Sequence, residues 1–440
     1  MFRYVFALLL AAFIQPGVAH ACPDLQVYYS EQFSWSEKLR DLRALMPECL
    51  QSSEYFALRG AAELNTNRVD AALESLERSL LLDPGNAAAR IDYAQVLFSV
   101  GQVFAAMELN EELLARPDLP QGIDTLLQNR QSNWRAMTRQ RSYQVDISTG
   151  YDDNLNGAPD PSQITLTLSG EPITLNLNDD FRPIGDTYGN LRLGTRYRQL
   201  GPGSQHNWVT ELRARNSSHE DSNLLQLDNR YVFSRNARNA TWQLGGSLSS
   251  LHFGGNPLFT ATEARYRRQS RNDGNSSCHP LFDLAVQHQN FHGQAELDAV
   301  ETRAAIGANC ILETASGNQS FNIELGLLDN SALSSRRPGG HRGGWQARAD
   351  WQTQAGIGTF RSQVSYTEIN DRKAFSPLLA NGAKREVSRA YVYLQYLQPL
   401  SLFGPNTTLL VNLFHQQQKS NLELFESTDS SFEIGLSFSF

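Results

Sequence analysis

From Tyr143 to Phe440 the side chains alternate between apolar and polar, and this period of two runs through more than half of the chain. It is plainest at the end, where Phe432, Ile434, Leu436, Phe438 and Phe440 interleave with Glu433, Gly435, Ser437 and Ser439. One face of such a strand is greasy and the other wet. In a soluble sandwich this would be a flat aromatic edge, open to aggregation. A barrel with lipid outside and a polar lumen has no free edge, so the pattern points there, with Phe440 closing the wall against the first strand.

The alternation divides into fourteen strands, near 142–151, 186–200, 206–217, 223–235, 240–252, 259–270, 279–291, 298–313, 320–330, 343–355, 358–370, 384–399, 407–419 and 427–440. Gaps at 201–205, 236–239, 314–319 and 400–406 read as short periplasmic turns, and those at 152–185, 331–342 and 371–383 as outer loops. An even strand count returns both ends of the barrel to the periplasm. Arg192, Arg196, Arg198, Glu211, Arg213, Arg215, Asp228, Arg230, Glu263, Arg265, Arg267, Arg348 and Asp350 fall on the polar face. There they line a water-filled lumen or form cross-strand ion pairs that hold the wall. Trp208, Trp242, Trp345, Trp351, Tyr391 and Tyr393 are assigned to aromatic girdles at the two membrane interfaces.

At the amino end, Arg3, an apolar run over 4–14 and Ala19-His20-Ala21 read as a signal peptide covering 1–21. Lipidation of Cys22 is the alternative. No later stretch has the 18 or so apolar residues of a membrane helix, so residence in a membrane requires a barrel. Residues 22–440 carry 37 basic against 46 acidic side chains, which argues against nucleic acid as a partner. Four Cys in an oxidising compartment allow two disulfides. Cys22 and Cys49 would tie down the amino end. If 279–291 and 298–313 form a hairpin with its tip at 292–295, residues whose numbers sum to about 588 stand opposite one another, and Cys278 and Cys310 meet that sum. A free pair of thiols is the other possibility.

Residues 54–116 repeat with a period of 34: Gly60 recurs as Ala94, Asn67 as Gly101, Ala72 as Ala106 and Leu80 as Leu114, with Pro84 and Pro117 after the units. This resembles the tetratricopeptide repeat, whose small residues let antiparallel helices approach closely. Two repeats expose too much core, so flanking helices over 30–46 (Trp35, Leu39, Leu42, Leu45) and 121–139 (Ile123, Leu126, Leu127, Trp134, Met137) are expected as caps. The unit is a groove for a peptide or partner protein, or a spacer. The domains are then 1–21, signal peptide; 22–141, periplasmic repeats; and 142–440, outer-membrane barrel.

The segment Thr149-Gly150-Tyr151-Asp152-Asp153-Asn154-Leu155-Asn156-Gly157-Ala158-Pro159 leads to Pro161-Ser162 and a Thr/Leu hairpin from Ile164 to Leu177, broken at Ser169-Gly170. Its Asx side chains favour turns that bind their own backbone. The spacing of Asp152, Asp153, Asn154 and Asn156 is not that of a calcium loop and no Glu closes it, so no metal site is assigned. These four are instead candidate residues of a gating loop at the mouth. The segment resembles the start of the barrel in the surface lipoprotein assembly modifier family. That family joins periplasmic tetratricopeptide repeats to a fourteen-stranded outer-membrane barrel.

The resemblance implies a fold of α + β class, an α-helical repeat solenoid followed by a 14-stranded antiparallel transmembrane barrel. It also implies the function, which is translocation or display of client lipoproteins at the bacterial cell surface. The implied partners are a client surface lipoprotein, outer-membrane lipid and the barrel-assembly machinery, with no cofactor and no covalent chemistry. This chain departs from longer family members in having only two clear repeats. An exopolysaccharide export porin or a general outer-membrane channel is the alternative. The chain is not expected to be an enzyme: the histidines are scattered, with no HExxH and no Gly-x-Ser-x-Gly turn.

Overall fold

The computed structural model describes residues 22–270, 277–314, 317–401, 404 and 406–440. The expected signal peptide lies outside the described residues, as do parts of the expected turns at 314–319 and 400–406. The chain forms two compact units, divided at Thr138/Arg139.

The first unit is helical: α1 (Trp35–Ala44), α2 (Ser53–Asn65), α3 (Val69–Leu82), α4 (Ala87–Ser99), α5 (Val103–Leu114) and α6 (Gln121–Met137). Each helix begins where the sequence supplies an acceptor or a break. Ser34 and Glu37 form a reciprocal capping box on α1, and Ser52 and Asn86 cap α2 and α4. Asn67 and Gly101, equivalent in the repeat, turn the chain between the paired helices with φ of 58° and 82°. This is left-handed backbone, which Gly and Asn adopt at least cost.

Gly60 packs so tightly on α3 that a Cβ would stand 2.5 Å from Leu76 Cγ. The equivalent small positions Ala72, Ala94 and Ala106 are fully buried. The expected caps are α1 and α6: Leu39 and Leu42 join the core with Cys49, which is bonded to Cys22, and Trp134 stacks on Phe98 at 4.8 Å. Two hydrogen-bonded polar groups cross this core, with Asn110 Oδ1 and Gln131 Nε2 left without a partner among the described residues. Glu63 takes Arg59 Nε at 3.0 Å and Ser75 Oγ at 2.6 Å, and Asn110 donates to Leu127 O and Gln131 Oε1.

The second unit contains β1 (Arg139–Asp152), the hairpin β2 (Gln163–Leu168) and β3 (Glu171–Asn176), and then β4 (Asp186–Gly201), β5 (Ser204–Ser217), β6 (Leu224–Asn236), β7 (Ala240–Phe253), β8 (Asn256–Ser270) and β9 (Cys278–Phe291). It continues with β10 (Ala299–Thr314), β11 (Gly317–Ala332), β12 (Arg342–Ala355), β13 (Gly358–Ala374), β14 (Lys384–Pro399), β15 (Thr407–Ser420) and β16 (Ser427–Ser439). β1 and β4 to β16 close one antiparallel barrel of fourteen strands, sequential neighbours pairing throughout and β16 returning to β1. β1 begins at Arg139 rather than at 142.

One rim, here proximal, carries the start of β1 and the turns after β4, β6 and β12; the distal rim carries 153–185, 333–341 and 375–383. The division of short and long connections has an exception: β7 and β8 meet at the distal rim through Gly254-Gly255 alone, both with positive φ.

The barrel is inside out relative to the helical unit. Ile147, Leu191, Ile306, Ile323, Leu325, Leu327, Val364 and Ile434 project outward and stay exposed, Leu327 at 71%. In water such a belt would be an aggregation surface, and in lipid it is the favoured face. No helix among the described residues is long and apolar enough to cross a membrane. Trp208, Trp242, Trp345 and Trp351 lie on the outward parity. Cys278 and Cys310 stand opposite in the β9–β10 ladder and are disulfide-bonded.

Candidate functional site

Alternation within each strand sends charge into the barrel, and register brings opposite signs together. Arg192 bridges Asp146 at 3.6 Å and Glu211 at 2.7 Å. Asp283 lies between Arg265 and Arg267 at 2.7 and 2.8 Å, Arg267 also reaches Glu324 at 2.6 Å, and Arg303 joins Glu263 and Glu301. Arg348 forks onto Asp350. Arg213 donates to Asn190, and Arg215 pairs with Asp152 at 2.9 Å. Arg196, Arg198 and Arg230 share the inward face, and no ion pair joins them among the described residues. The result is a lumen that is polar and largely charge-balanced.

A cavity of about 650 Å³ in this lumen is bounded by Arg192, Glu211, Asn322, Asp350, Gln363 and Gln395, and also by Tyr391 and Tyr393. These two tyrosines were expected in the outer girdle and instead face inward. The reason is that residues 391–394 (Tyr, Val, Tyr, Leu) are bulky and apolar on both faces, so alternation carries no sign there. Register decides: Tyr393 stands opposite Gln363, and its hydroxyl accepts from Gln395 at 3.1 Å.

The expected gating loop forms a staple. β1 pairs with β16 only as far as Asp152↔Ser431, which leaves the distal part of β16 without a strand partner on that side. The following segment takes over. Asp153 exchanges bonds with Ser430 (N to Ser430 O 3.1 Å; Ser430 N to Oδ1 2.7 Å), Asn154 Nδ2 donates to Thr428 O at 2.9 Å, and Asp160 accepts from Thr428 N at 2.8 Å. Asp152, 4% exposed, receives Asn154 N and Arg215. Asn156 binds Arg182 O and Ile184 N across the loop. Beyond it the β2–β3 hairpin docks on the neighbouring loops, with Thr167 N on Leu378 O at 2.7 Å and Thr165 N on Glu423 Oε2 at 2.7 Å. Asp429 completes a trio with Asp152 and Asp153, one carboxylate oxygen of each lying within 4.8 Å of the others. Arg215, Asn154 and Ser430 already occupy oxygens of the first two, and no metal role is assigned.

In the helical unit a second cavity of about 530 Å³ is lined by Tyr28, Tyr29, Phe33, Trp35 and Lys38, and by Leu58, Ala61 and Asp92 from α2 and α4. Trp35 was expected to pack in the cap, but it stands 38% exposed beside Lys38 Nζ at 4.5 Å. Tyr29 donates to Glu54 at 3.1 Å, and burial together with that carboxylate pushes its hydroxyl up to about 12. Burial also raises the Asp92 carboxyl to about 6, with Arg130 offsetting part of the rise. Residues 22–138 hold 17 acidic and 10 basic side chains, against 29 and 27 in 139–440, so the net negative charge is concentrated here. The aromatic run Tyr28-Tyr29, Phe33, Trp35 was the available sequence signal for this groove.

Residues 64–121 match the tetratricopeptide repeat family. No curated protein matches the chain. Among solved structures, the barrel is similar to OccAB3 of Acinetobacter baumannii (7% identity, 68% of this chain and 100% of that one, TM-score 0.34) and to a bacterial polysaccharide outer membrane secretin (8%, 68% and 98%, TM-score 0.35). A 23% share of the chain is similar to the Yersinia enterocolitica type III secretion chaperone SycD in complex with a peptide of the translocator YopD (17% identity, 81% of that chain, TM-score 0.22). The chain joins a unit that matches the tetratricopeptide repeat over 64–121 to a closed antiparallel barrel of fourteen strands.

Proposed function

We propose that this protein brings client lipoproteins to the bacterial cell surface. In this reading the helical unit stands in the periplasm and selects the client, and the barrel provides the conduit, with no covalent chemistry. The groove carries the proposal. It pairs aromatic walls with a half-buried carboxylate in a strongly acidic unit, which suits a client segment that offers an apolar or aromatic residue beside Lys or Arg. The lumen carries paired charges of both signs, which suits a protein cargo, and its Arg excess at Arg196, Arg198 and Arg230 would also accept an acidic polymer. The resemblance of the Asp152–Pro159 segment to the surface lipoprotein assembly modifiers adds to it, and the staple is then the element that must yield when the mouth opens.

The test is photo-crosslinking in living cells from two positions, Ala61 in the groove and Gln363 in the lumen. The proposal expects the same lipoprotein from both. Adducts with different partners, or with none, would reject a shared route.

A further inference from the structure

The distal side of the lumen wall, from β11 to β14, holds arginines that the ion-pair ladder does not absorb. Arg337 lies in the loop between β11 and β12 and is 4% exposed; Arg342 opens β12, and Arg385 near the start of β14 is 9% exposed. Register places Arg342 and Arg385 on the inward face, both reaching one carboxylate, Asp371 of β13, at 3.3 and 3.1 Å. Arg337 donates through Nη1 to the neutral Asn330 at 2.5 Å. Among the described residues, the Nε of Arg337 and of Arg385 is buried without an acceptor, and that of Arg342 faces Asp371 Oδ1 at 3.3 Å outside hydrogen-bond geometry.

The nearby carboxylates are engaged elsewhere. Glu301 lies beside Arg303 at 3.5 Å, and Asp329 beside Arg372 at 2.7 Å. Two buried cations and the half-buried Arg342 therefore share one anion, and among the described residues Arg389, further along β14, meets only Gln418. The cluster is also held in place. The Arg385 guanidinium lies against the edge-packed rings of Phe375 and Phe425, at 4.9 and 4.5 Å, which fixes its fork. Gly339, at φ 76°, brings the loop so close to Asp371 that a Cβ would overlap its carboxylate.

Buried N–H groups without acceptors and an uncompensated positive charge are both costly, and a single anion relieves both. The guanidinium fork matches the oxygens of phosphate and carboxylate. We infer that Arg337, Arg342 and Arg385 form a binding site at the distal mouth for an oxyanion of the phosphate or carboxylate class. The anion is either free or borne by a lipid headgroup. The site makes the mouth selective for anionic groups where the mid-lumen is neutral.

The full chain, purified in neutral detergent, is titrated calorimetrically with inorganic phosphate and with acetate at constant ionic strength. In a second arm it is reconstituted in vesicles with and without phosphatidic acid and its thermal unfolding is followed. Saturable binding in the first arm identifies a free anion, and stabilisation by phosphatidic acid alone identifies a headgroup. Arg337→Gln and Arg385→Gln weaken whichever response is seen at least tenfold, while Arg348→Gln in the mid-lumen ladder leaves it unchanged. Heat-modifiable migration of the folded barrel serves as the check on each variant. If either distal variant does not fold, the wild type decides by whether phosphate, at an ionic strength matched with chloride, raises the unfolding temperature. No response to phosphate and to phosphatidic acid in the wild type, or an equal loss in R348Q and R337Q, overturns the site.

Discussion

Leu76 and Leu327 have the same side chain and opposite fates. Leu76 is fully buried between α2 and α3, whereas Leu327 is 71% exposed at the middle of β11. The helical unit buries its leucines, as a fold in water does; the barrel presents them and turns its arginines inward, as a fold in lipid does. One chain therefore carries two codes. Small residues every 34 positions write the first, and alternation writes the second.

This comparison breaks most easily at Leu76. Leu76→Ala should cost up to about 5 kcal/mol of the helical unit's stability through lost burial and a cavity. In denaturant titrations of the full chain, the 222 nm signal should melt early while the barrel's gel shift stays unchanged. Breaking the Cys22–Cys49 bond, which closes a separation of 27 residues, should cost about 3.5 kcal/mol on the loop-entropy account. Reductant should lower the same helical transition. On the barrel, Leu325→Arg should destabilise by about 2–4 kcal/mol in vesicles, where the guanidinium meets lipid. Gln363→Arg, inward, should be nearly neutral. Equal effects of these two changes would mean that the assigned faces are wrong.

The smallest effect concerns Asp92. Its carboxyl is raised in the folded unit, so the folded state holds a proton that the unfolded chain releases at lower pH. Stability should therefore fall as pH rises from about 4 to about 6 and level off above. Asp92→Asn should raise the unit's unfolding temperature by a few degrees at pH 7.5 and leave it unchanged at pH 3.5. Calorimetric scans at the two pH values check this. The same ionisation should make a basic client bind more tightly at pH 7.5 than at pH 5.

The unequal legibility of the two units follows from distance along the chain. Repeat positions such as Gly60 and Ala94 announce helix contacts because the partners lie within one unit, and strands were readable wherever one face was polar. At Tyr391 to Leu394 both faces are bulky, and there the reading failed. The Asp153 staple was visible as a special segment, but its partners Thr428 and Ser430 stand at the other end of the barrel sequence, where nothing local marks them. The distal arginines come from the β11–β12 loop, β12 and β14, and only the register of β12, β13 and β14 brings them to Asp371. Gly254-Gly255 shows that loop length alone does not identify a rim.

Whether client proteins reach the surface through this chain is tested most directly by protease shaving of intact cells. In cells lacking the protein, surface lipoproteins should survive external protease and be digested only after the outer membrane is opened; re-expression of the chain should restore their cleavage in intact cells. Lipoproteins that are cleaved equally with and without the protein would contradict the claim.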